Sequence, residues 1–418
     1  MFDLKSIKVG WFLGYRQLKR SSLWSNLLIV LIMILTFLNL VVISGLLVGL
    51  IQGASNAVKN HYIGDIIISR LPENSFIENT PQIINTIENT PQIKSYTARY
   101  LSSGSLESNY KDRSDFTENP KRVSTVIAGI NPDKEHEVTQ IKDKLIEGEF
   151  LEGDDFDKIV LGAFLLEKYL QIDSPGFLVL KDVEIGSKVR VDINGNTREM
   201  IVKGILKSKT DEIDRRGFIV DSQLRSMMGR DDKNVGEISV RIADGQNPDF
   251  VKSILVSNGF EQYAKVQTFE EGRPKFLDDI TNTFNLLGTI ISSIGLAVAA
   301  ITVFIVIFIN AITRRKYIGI MKAIGVDGKT LELSYIFQSL VYAIIGSIVG
   351  LVLVYLVLIP YVNANPIDFP FSDGILVAPV FSTSVRVVIL IIVTALAGYI
   401  PSRIIIRKNT LDSILGRN

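Results

Sequence analysis

Four stretches of this chain, 27–51, 284–311, 333–359 and 385–400, are apolar over lengths that no water-soluble interior of this size requires. A bilayer core is crossed by ~20 apolar residues in helical form, and it offers no water to an unpaired backbone group. These runs therefore predict a membrane protein with four transmembrane α-helices. The first three carry no charge at all. The fourth is the shortest, and Arg386 lies near its outer end, where a guanidinium is expected to snorkel. The first run is too apolar and too long for a cleaved signal, and 26 residues precede it, so it is expected to stay as a membrane anchor. No span holds an Asp, Glu or Lys in its middle. Proton relays and ion pathways need such groups, which argues against an ion-coupled carrier.

The net charge of +1 conceals a segregation that orients the chain. Lys5, Lys8, Arg16, Lys19 and Arg20 precede the first span. Arg314, Arg315, Lys316, Lys322 and Lys329 lie between the second and third, and Arg403, Arg407, Lys408 and Arg417 follow the fourth. Only Asp3, Asp327, Glu332 and Asp412 oppose them, whereas 52–280 has a net charge of −8 and 360–381 has no Lys or Arg. Short basic segments stay inside. Both termini and the 312–332 loop are thus expected in the cytoplasm and the large insertion outside a plasma (inner) membrane. Ile7, Trp11, Leu13 and Leu18, interspersed with cations, predict an amphipathic helix on the inner surface.

The insertion, 53–275, reads as an α+β extracytoplasmic domain between the first and second membrane helices. Thr80-Pro81 begins a short helix over Ile83, Ile84 and Ile87. The hexamer Glu78 to Ile83 recurs at Glu88 to Ile93, too few copies for a repeat architecture. Lys188 to Ile193 alternates, Asn194-Gly195 supplies a tight turn, and Met200, Ile201, Val202 and Ile205 return, which predicts a hairpin. Further strands are expected at 123–130, 218–220, 238–242 and around Val266, and short helices at 164–170 and 221–228. The chain has no Cys and two His, His61 and His136, which excludes disulfides, thiolate chemistry and a His-rich metal site. His136, between two Glu, reads as a loop residue. Asp154, Asp155 and Asp157 lack the Gly and Glu of a calcium loop and read as a solvated turn. No catalytic, cofactor-binding or metal constellation is expected.

Ala323 to Thr330 fits a loose phosphate-loop pattern, but such a loop needs a preceding strand. Between two spans there is room only for a short helix and a turn at Gly325. Phe276, Ile280, Phe284, Leu287 and Ile291 follow helical spacing into the second span, so one helix is expected over 276–313, projecting beyond the bilayer as a stalk. Gly45 with Gly49, Gly288 with Ser292, and Gly346 with Gly350 are small residues four apart, a spacing that lets helix backbones approach.

Arg314-Arg315-Lys316-Tyr317-Ile318-Gly319-Ile320-Met321-Lys322-Ala323-Ile324-Gly325 resembles the signature of the MacB/FtsX-like permeases of ABC transporters, the group that includes LolC and LolE. Ala128 to Pro132, Glu147 to Phe150, Ile159 to Gly162, Ile185 to Ser187 and Val202 to Ile205 follow the order of that family's outer domain. Gly398 to Arg403 and Leu411 to Leu415 resemble its closing segment. Tyr317 stands where an acidic residue is usual, and Thr410 where Pro is usual.

The resemblance implies a permease that pairs with a second copy, identical or not, and with two copies of a separate ABC ATPase holding ATP and Mg²⁺. Arg315, Lys316, Tyr317, Ile318, Gly319, Met321, Lys322, Ala323 and Gly325 would form the coupling helix. It also implies work on lipoproteins or other extracytoplasmic proteins, with membrane lipid as the medium and no nucleic acid. An outer-surface signalling scaffold and a tethered sensor without an ATPase are the other readings. The resulting division is 1–24 amphipathic helix, 25–52 first span and stalk, 53–275 outer domain, 276–313 stalk and second span, 314–332 coupling helix and turn, 333–359 third span, 360–381 outer loop, 382–403 fourth span and 404–418 tail.

Overall fold

The computed structural model describes residues 4–108, 110, 122–170, 178–369 and 371–407. Lys408, Thr410, Arg417 and the 411–415 segment lie outside the described residues. The chain divides into two compact units. One is Met1–Ile51 with Asp279–Asp368 and Asp373–Asn418, and the other is Gln52–Asp278 with Phe369–Ser372.

The first unit is helical. Four helices are long and apolar enough to cross a membrane: Leu23–Ile63, Lys275–Thr313, Gly328–Ala364 and Val380–Ile406. Each continues past its apolar run, because helical hydrogen bonding does not stop where side chains turn polar. Single π turns interrupt the first helix at Asn39–Ile43 and Lys59–Ile63 and the third at Val354–Leu358. Met33, Phe37, Val303, Ile307, Tyr335, Tyr342 and Leu390 are core residues drawn from all four.

The N-terminal helix Leu4–Arg20 is amphipathic, but it does more than lie on a surface. A Cβ at Gly10 would stand 2.9 Å from the Leu333 Cβ, and one at Gly14 would stand 2.8 Å from the Ser334 carbonyl oxygen. These glycines seat the helix on the third membrane helix. Leu13 and Leu18 pack on the core, while Trp11 and Ile7 remain exposed.

The second unit is built on ten strands: β1 Ile66–Arg70, β2 Ile93–Glu107, β3 Arg122–Ile130, β4 Leu145–Gly148, β5 Lys158–Gly162, β6 Lys188–Ile193, β7 Asn196–Leu206, β8 Arg216–Val220, β9 Glu237–Ile242 and β10 Ala264–Thr268. Their order is β10-β1-β9-β2-β3-β8-β5-β7-β4, with β6 pairing both β2 and β7. The long β2 joins two halves by pairing β9 at one end and β3 and β6 at the other. The β6–β7 hairpin turns at Asn194 and Gly195, with φ of 51° and 85°. A turn of this kind needs positive φ at both central residues.

Two sequence expectations about this unit are corrected. The 164–170 segment is not an α-helix. It holds a 3₁₀ turn, Ala163–Leu165, after which Leu180 donates to the Leu165 carbonyl at 2.8 Å and Glu167 donates to the Leu180 carbonyl at 3.1 Å. Long-range pairing takes the backbone groups a helix would use. His136 is not in a loop. Asn131 caps a helix Pro132–Thr139 by accepting from the Lys134 N–H at 3.1 Å, with Pro opening the helix, whereas Thr80 is no cap: Asn79 precedes its helix without a side-chain bond and the Thr80 hydroxyl donates to the Ile77 carbonyl. The two hexamer copies also have different structures. Thr80 opens the helix Thr80–Glu88, whereas the second copy ends that helix and enters β2.

The centre of this unit is polar. The Arg99 guanidinium on β2 is fully buried. It donates to Glu135 at 2.7 and 2.8 Å, to Glu237 at 2.8 Å and to the Tyr62 carbonyl at 3.0 Å. Arg216 reaches the same Glu237 oxygen at 2.8 Å, and Thr97 and Thr139 donate to Glu135. Two cations thus meet two carboxylates. Burial alone would lower the Arg99 pKa, but Glu135 and Glu237 outweigh it and raise the pKa above its ordinary value. Burial likewise opposes the charge on Glu237, yet Arg216 and Arg99 hold its carboxyl at about 2.

The network fastens the turn Lys59–Ile63, where the first membrane helix ends. Ser239 also donates to the Tyr62 carbonyl, at 2.9 Å, and His61 Nδ1 lies 3.0 Å from the Thr139 carbonyl. Removing one member strands a buried charge, which costs about 3–5 kcal/mol. Arg99→Met is therefore expected to lower the unfolding midpoint of the β-rich unit sharply in the detergent-solubilised chain, followed by near-ultraviolet circular dichroism. Because the folded-state pKa of Glu237 is depressed, its contribution is complete above the ordinary Glu range near ~4.3. It is lost as pH falls toward about 2. The acid limb of a stability–pH profile should flatten in Glu237→Gln, and an unaltered limb would contradict the ion network.

Candidate functional site

Between the second and third membrane helices the chain forms a short elbow helix, Arg315–Ala323. It stops where the sequence changes to Gly325, whose φ is +94°. Gly325 N–H donates to the Lys322 carbonyl and Val326 N–H to the Met321 carbonyl, both at 3.0 Å. That pair of bonds closes the orphan carbonyls of a helix end and requires a left-handed residue. Asp327 then caps the next helix, Gly328–Leu353, by accepting from the Lys329 N–H at 3.4 Å. Ala323 to Thr330 is a helix end, a turn and a helix start, with no strand before it, and so has none of the context of a phosphate loop.

The elbow has two faces. Ile318 is 2% exposed and packs with Leu331, Ile405 and Ile406, and Gly319 is buried beside it. The Lys322 ammonium donates to the Ile406 carbonyl at 2.8 Å, near the end of the fourth helix. These residues seat the elbow. On the other face Tyr317, Ile320 and Ile324 are 68%, 42% and 75% exposed, with Lys316 and Ala323 exposed among them. Positions three and four apart share a helix face, so these side chains make one apolar ridge with a cation beside it. Arg315 and Met321 are half-buried at its margins. The Tyr317 phenol therefore presents an uncharged, aromatic edge where an acid was the expected type.

The small-residue pairs occupy three different contacts. A Cβ at Gly346 would lie 2.5 Å from the Met33 Cβ, and one at Gly350 would lie 2.2 Å from the Phe37 ring, so the first and third helices touch there. Ser292 shares a hydrogen bond of 3.2 Å with Ser44, and Gly288 faces Leu47, which joins the first and second helices. Gly45 and Gly49 admit the extended segment 375–377 rather than another span. Val377 N–H donates to the Gly45 carbonyl at 3.2 Å, and a Cβ at Gly49 would fall 1.8 Å from the Ile375 carbonyl oxygen. Gly10, Gly14 and Gly398, the last against Ser339, are close contacts that the sequence reading missed. The signal was present, since Gly10 and Gly14 are themselves four apart.

In the acidic turn the carboxylates of Glu152, Asp154 and Asp155 lie within 4.8 Å of one another, and lysines already neutralise the buried one. Asp155 accepts from Lys203 at 2.6 Å and pairs with Lys158, and Asp157 pairs with Arg198 at 2.6 Å. Burial would raise the Asp155 pKa, but the lysine hydrogen bonds prevail and hold it at about 2.

Residues 289–410, which contain the elbow, match the family model of the FtsX-like permease C-terminal domain. An ABC transporter permease of Methanocaldococcus jannaschii is 23% identical over 285 residues, 65% of this chain and 65% of that one. In this region the chain is similar to the MacB/FtsX-like permeases. The macrolide export ATP-binding/permease protein MacB of Nitrobacter winogradskyi is 27% identical over 172 residues, 38% of the permease and 26% of the relative. The match thus covers less than two thirds of each of these relatives. The periplasmic region of MacB from Actinobacillus actinomycetemcomitans aligns at 17% identity with a TM-score of 0.36, over 51% of the permease and 92% of that chain.

In the permease, the Gly325 turn fixes where the elbow ends. Space is open around a Cβ there, so only the backbone conformation penalises a side chain. Gly325→Ala should cost about 1–2 kcal/mol, and Gly325→Asn less. Amide hydrogen exchange over 318–326 is expected to be slowest with Gly325, faster in Gly325→Asn and fastest in Gly325→Ala; equal exchange in all three proteins would contradict the turn.

Proposed function

We propose that the permease is the membrane subunit of an ABC transporter, and that the elbow helix is where a separate ABC ATPase, holding ATP and Mg²⁺, docks. The carrying observation is the exposed ridge Tyr317, Ile320 and Ile324 on a helix whose other face is anchored to the fourth helix by Ile318 and Lys322. An apolar ridge flanked by cations, fixed at its back, suits a partner that pushes. The charge segregation supports a cytoplasmic elbow and cytoplasmic termini, with the β-rich unit outside.

The second helix favours pairing with another permease copy. Ile290, Ile294, Val298, Ile301, Ile305, Ile309 and Ile312 are all exposed, at spacings of four, four and three that repeat along one face. The first helix ends in the Arg99 network, so displacement of that helix would pull directly on the β-rich unit. The motion would serve release or export of a lipid-linked, hydrophobic or peptide cargo, consistent with spans that hold no acidic group.

Co-expression with an affinity-tagged phosphate-loop ATPase from the same cell tests the docking. The permease is expected to co-purify, and Ile320→Glu with Ile324→Glu should reduce recovery at least tenfold while leaving the unfolding midpoint unchanged. Full recovery of the double variant would remove the elbow from the interface.

A further inference from the structure

A groove of about 520 Å³ runs between the first, second and fourth membrane helices. Its walls are apolar, with Leu40, Leu47, Phe284 and Ile389 among them, and a row of polar side chains enters from the second and fourth helices at Thr289, Ser292 and Ser382. Arg386 lines the same groove. Its position is six residues into the fourth helix, about 9 Å along the axis from Val380. Among the described residues none gives Arg386 a hydrogen bond, an ion pair or a ring contact.

An unpaired guanidinium at membrane depth is costly unless an anion or water meets it. Snorkelling would carry the head out to water and leave the groove apolar; here the side chain is half-buried and contributes to the groove wall. Access is lateral. Phe381, which lines the opening, is 81% exposed, as a side chain that faces acyl chains is. The occupant must therefore combine a hydrocarbon chain with an anionic head, and must enter from the bilayer. A guanidinium offers a planar fork of donors that matches phosphate oxygens in pairs.

We propose that this groove is a binding site for an anionic phospholipid, with one acyl chain along the apolar wall and the phosphodiester on Arg386, beside the Ser382 hydroxyl. The site is complete within one chain and stands whether or not an ATPase docks at the elbow.

Titration of the purified full chain in mild detergent, read by native mass spectrometry, tests this. Phosphatidylglycerol, phosphatidylcholine of equal chain length and soluble glycerol phosphate are the three probes. The expected result is a saturable phosphatidylglycerol adduct, at least tenfold weaker binding of phosphatidylcholine, and no adduct with glycerol phosphate. Arg386→Gln should weaken phosphatidylglycerol at least tenfold, and Arg386→Lys should recover part of that loss. Thr289→Trp, which fills the groove and leaves Arg386 intact, should abolish the adduct. Thr289 is exposed, so this variant is expected to keep the wild-type unfolding midpoint. Phosphatidylglycerol binding within twofold of wild type in both Arg386→Gln and Thr289→Trp would overturn the site. Equal affinity for phosphatidylcholine would remove the role of the charge, and binding of glycerol phosphate alone would show a soluble-anion site instead.

Discussion

Arg99 carries the heaviest constraint in the molecule. A guanidinium with no exposure to water is tolerable only when every donor has a partner, and its partners come from distant parts of the chain: Glu135, Glu237 and the backbone at Tyr62. Buried ion pairs do not reliably stabilise a fold against an apolar alternative, but they are demanding about geometry. Glu237 cannot serve Arg99 and Arg216 together unless β2, β8 and β9 keep their register, and the Tyr62 carbonyl cannot reach Arg99 unless the first membrane helix ends in its π turn. The network thus specifies how residues 59–63 are joined to the sheet within the β-rich unit.

The membrane unit answers a different requirement. Lipid is as apolar as the side chains it meets, so helices there gain little from burial and depend on close approach. Gly346 on Met33, Gly350 on Phe37 and Gly398 on Ser339 supply it, and the third helix receives the N-terminal helix in the same way at Gly10 and Gly14. Close packing fixes the third and fourth helices as a support for the elbow, whose Lys322 reaches the Ile406 carbonyl. The second helix is the least enclosed and shows an apolar face along most of its length.

The four spans and the Asn194-Gly195 hairpin were legible because hydrophobic length and positive-φ turn residues act locally. So was the Gly325 stop. The inward turn of Ile318 and Gly319 was less legible, since nine residues of elbow hold too few apolar positions to declare a face. Glu135 shows the limit most clearly. Its sequence context, between Lys134 and His136, gives no hint of complete burial, because its partner Arg99 lies 36 residues away. The misread segment 164–170 failed for the same reason, its backbone being claimed by Leu180. Arg386 reads in the sequence as the outer edge of its span, whereas it lies six residues into the helix, and the groove it lines exists only once three helices pack.

On the proposed function, an elbow with one anchored face and one free face, and a helix that ends in a buried ion network, would together act as a transmitter. That arrangement requires the elbow and the β-rich unit to be on opposite sides of the bilayer. The absence of cysteine makes the most direct test clean. Asn258→Cys and Ile324→Cys, both at exposed positions, would be exposed separately in intact cells to a membrane-impermeant maleimide. The account predicts that position 258 labels wherever the outer face is reachable and that position 324 labels only after the membrane is permeabilised. Labelling of both positions without permeabilisation, or the reverse order, would contradict it.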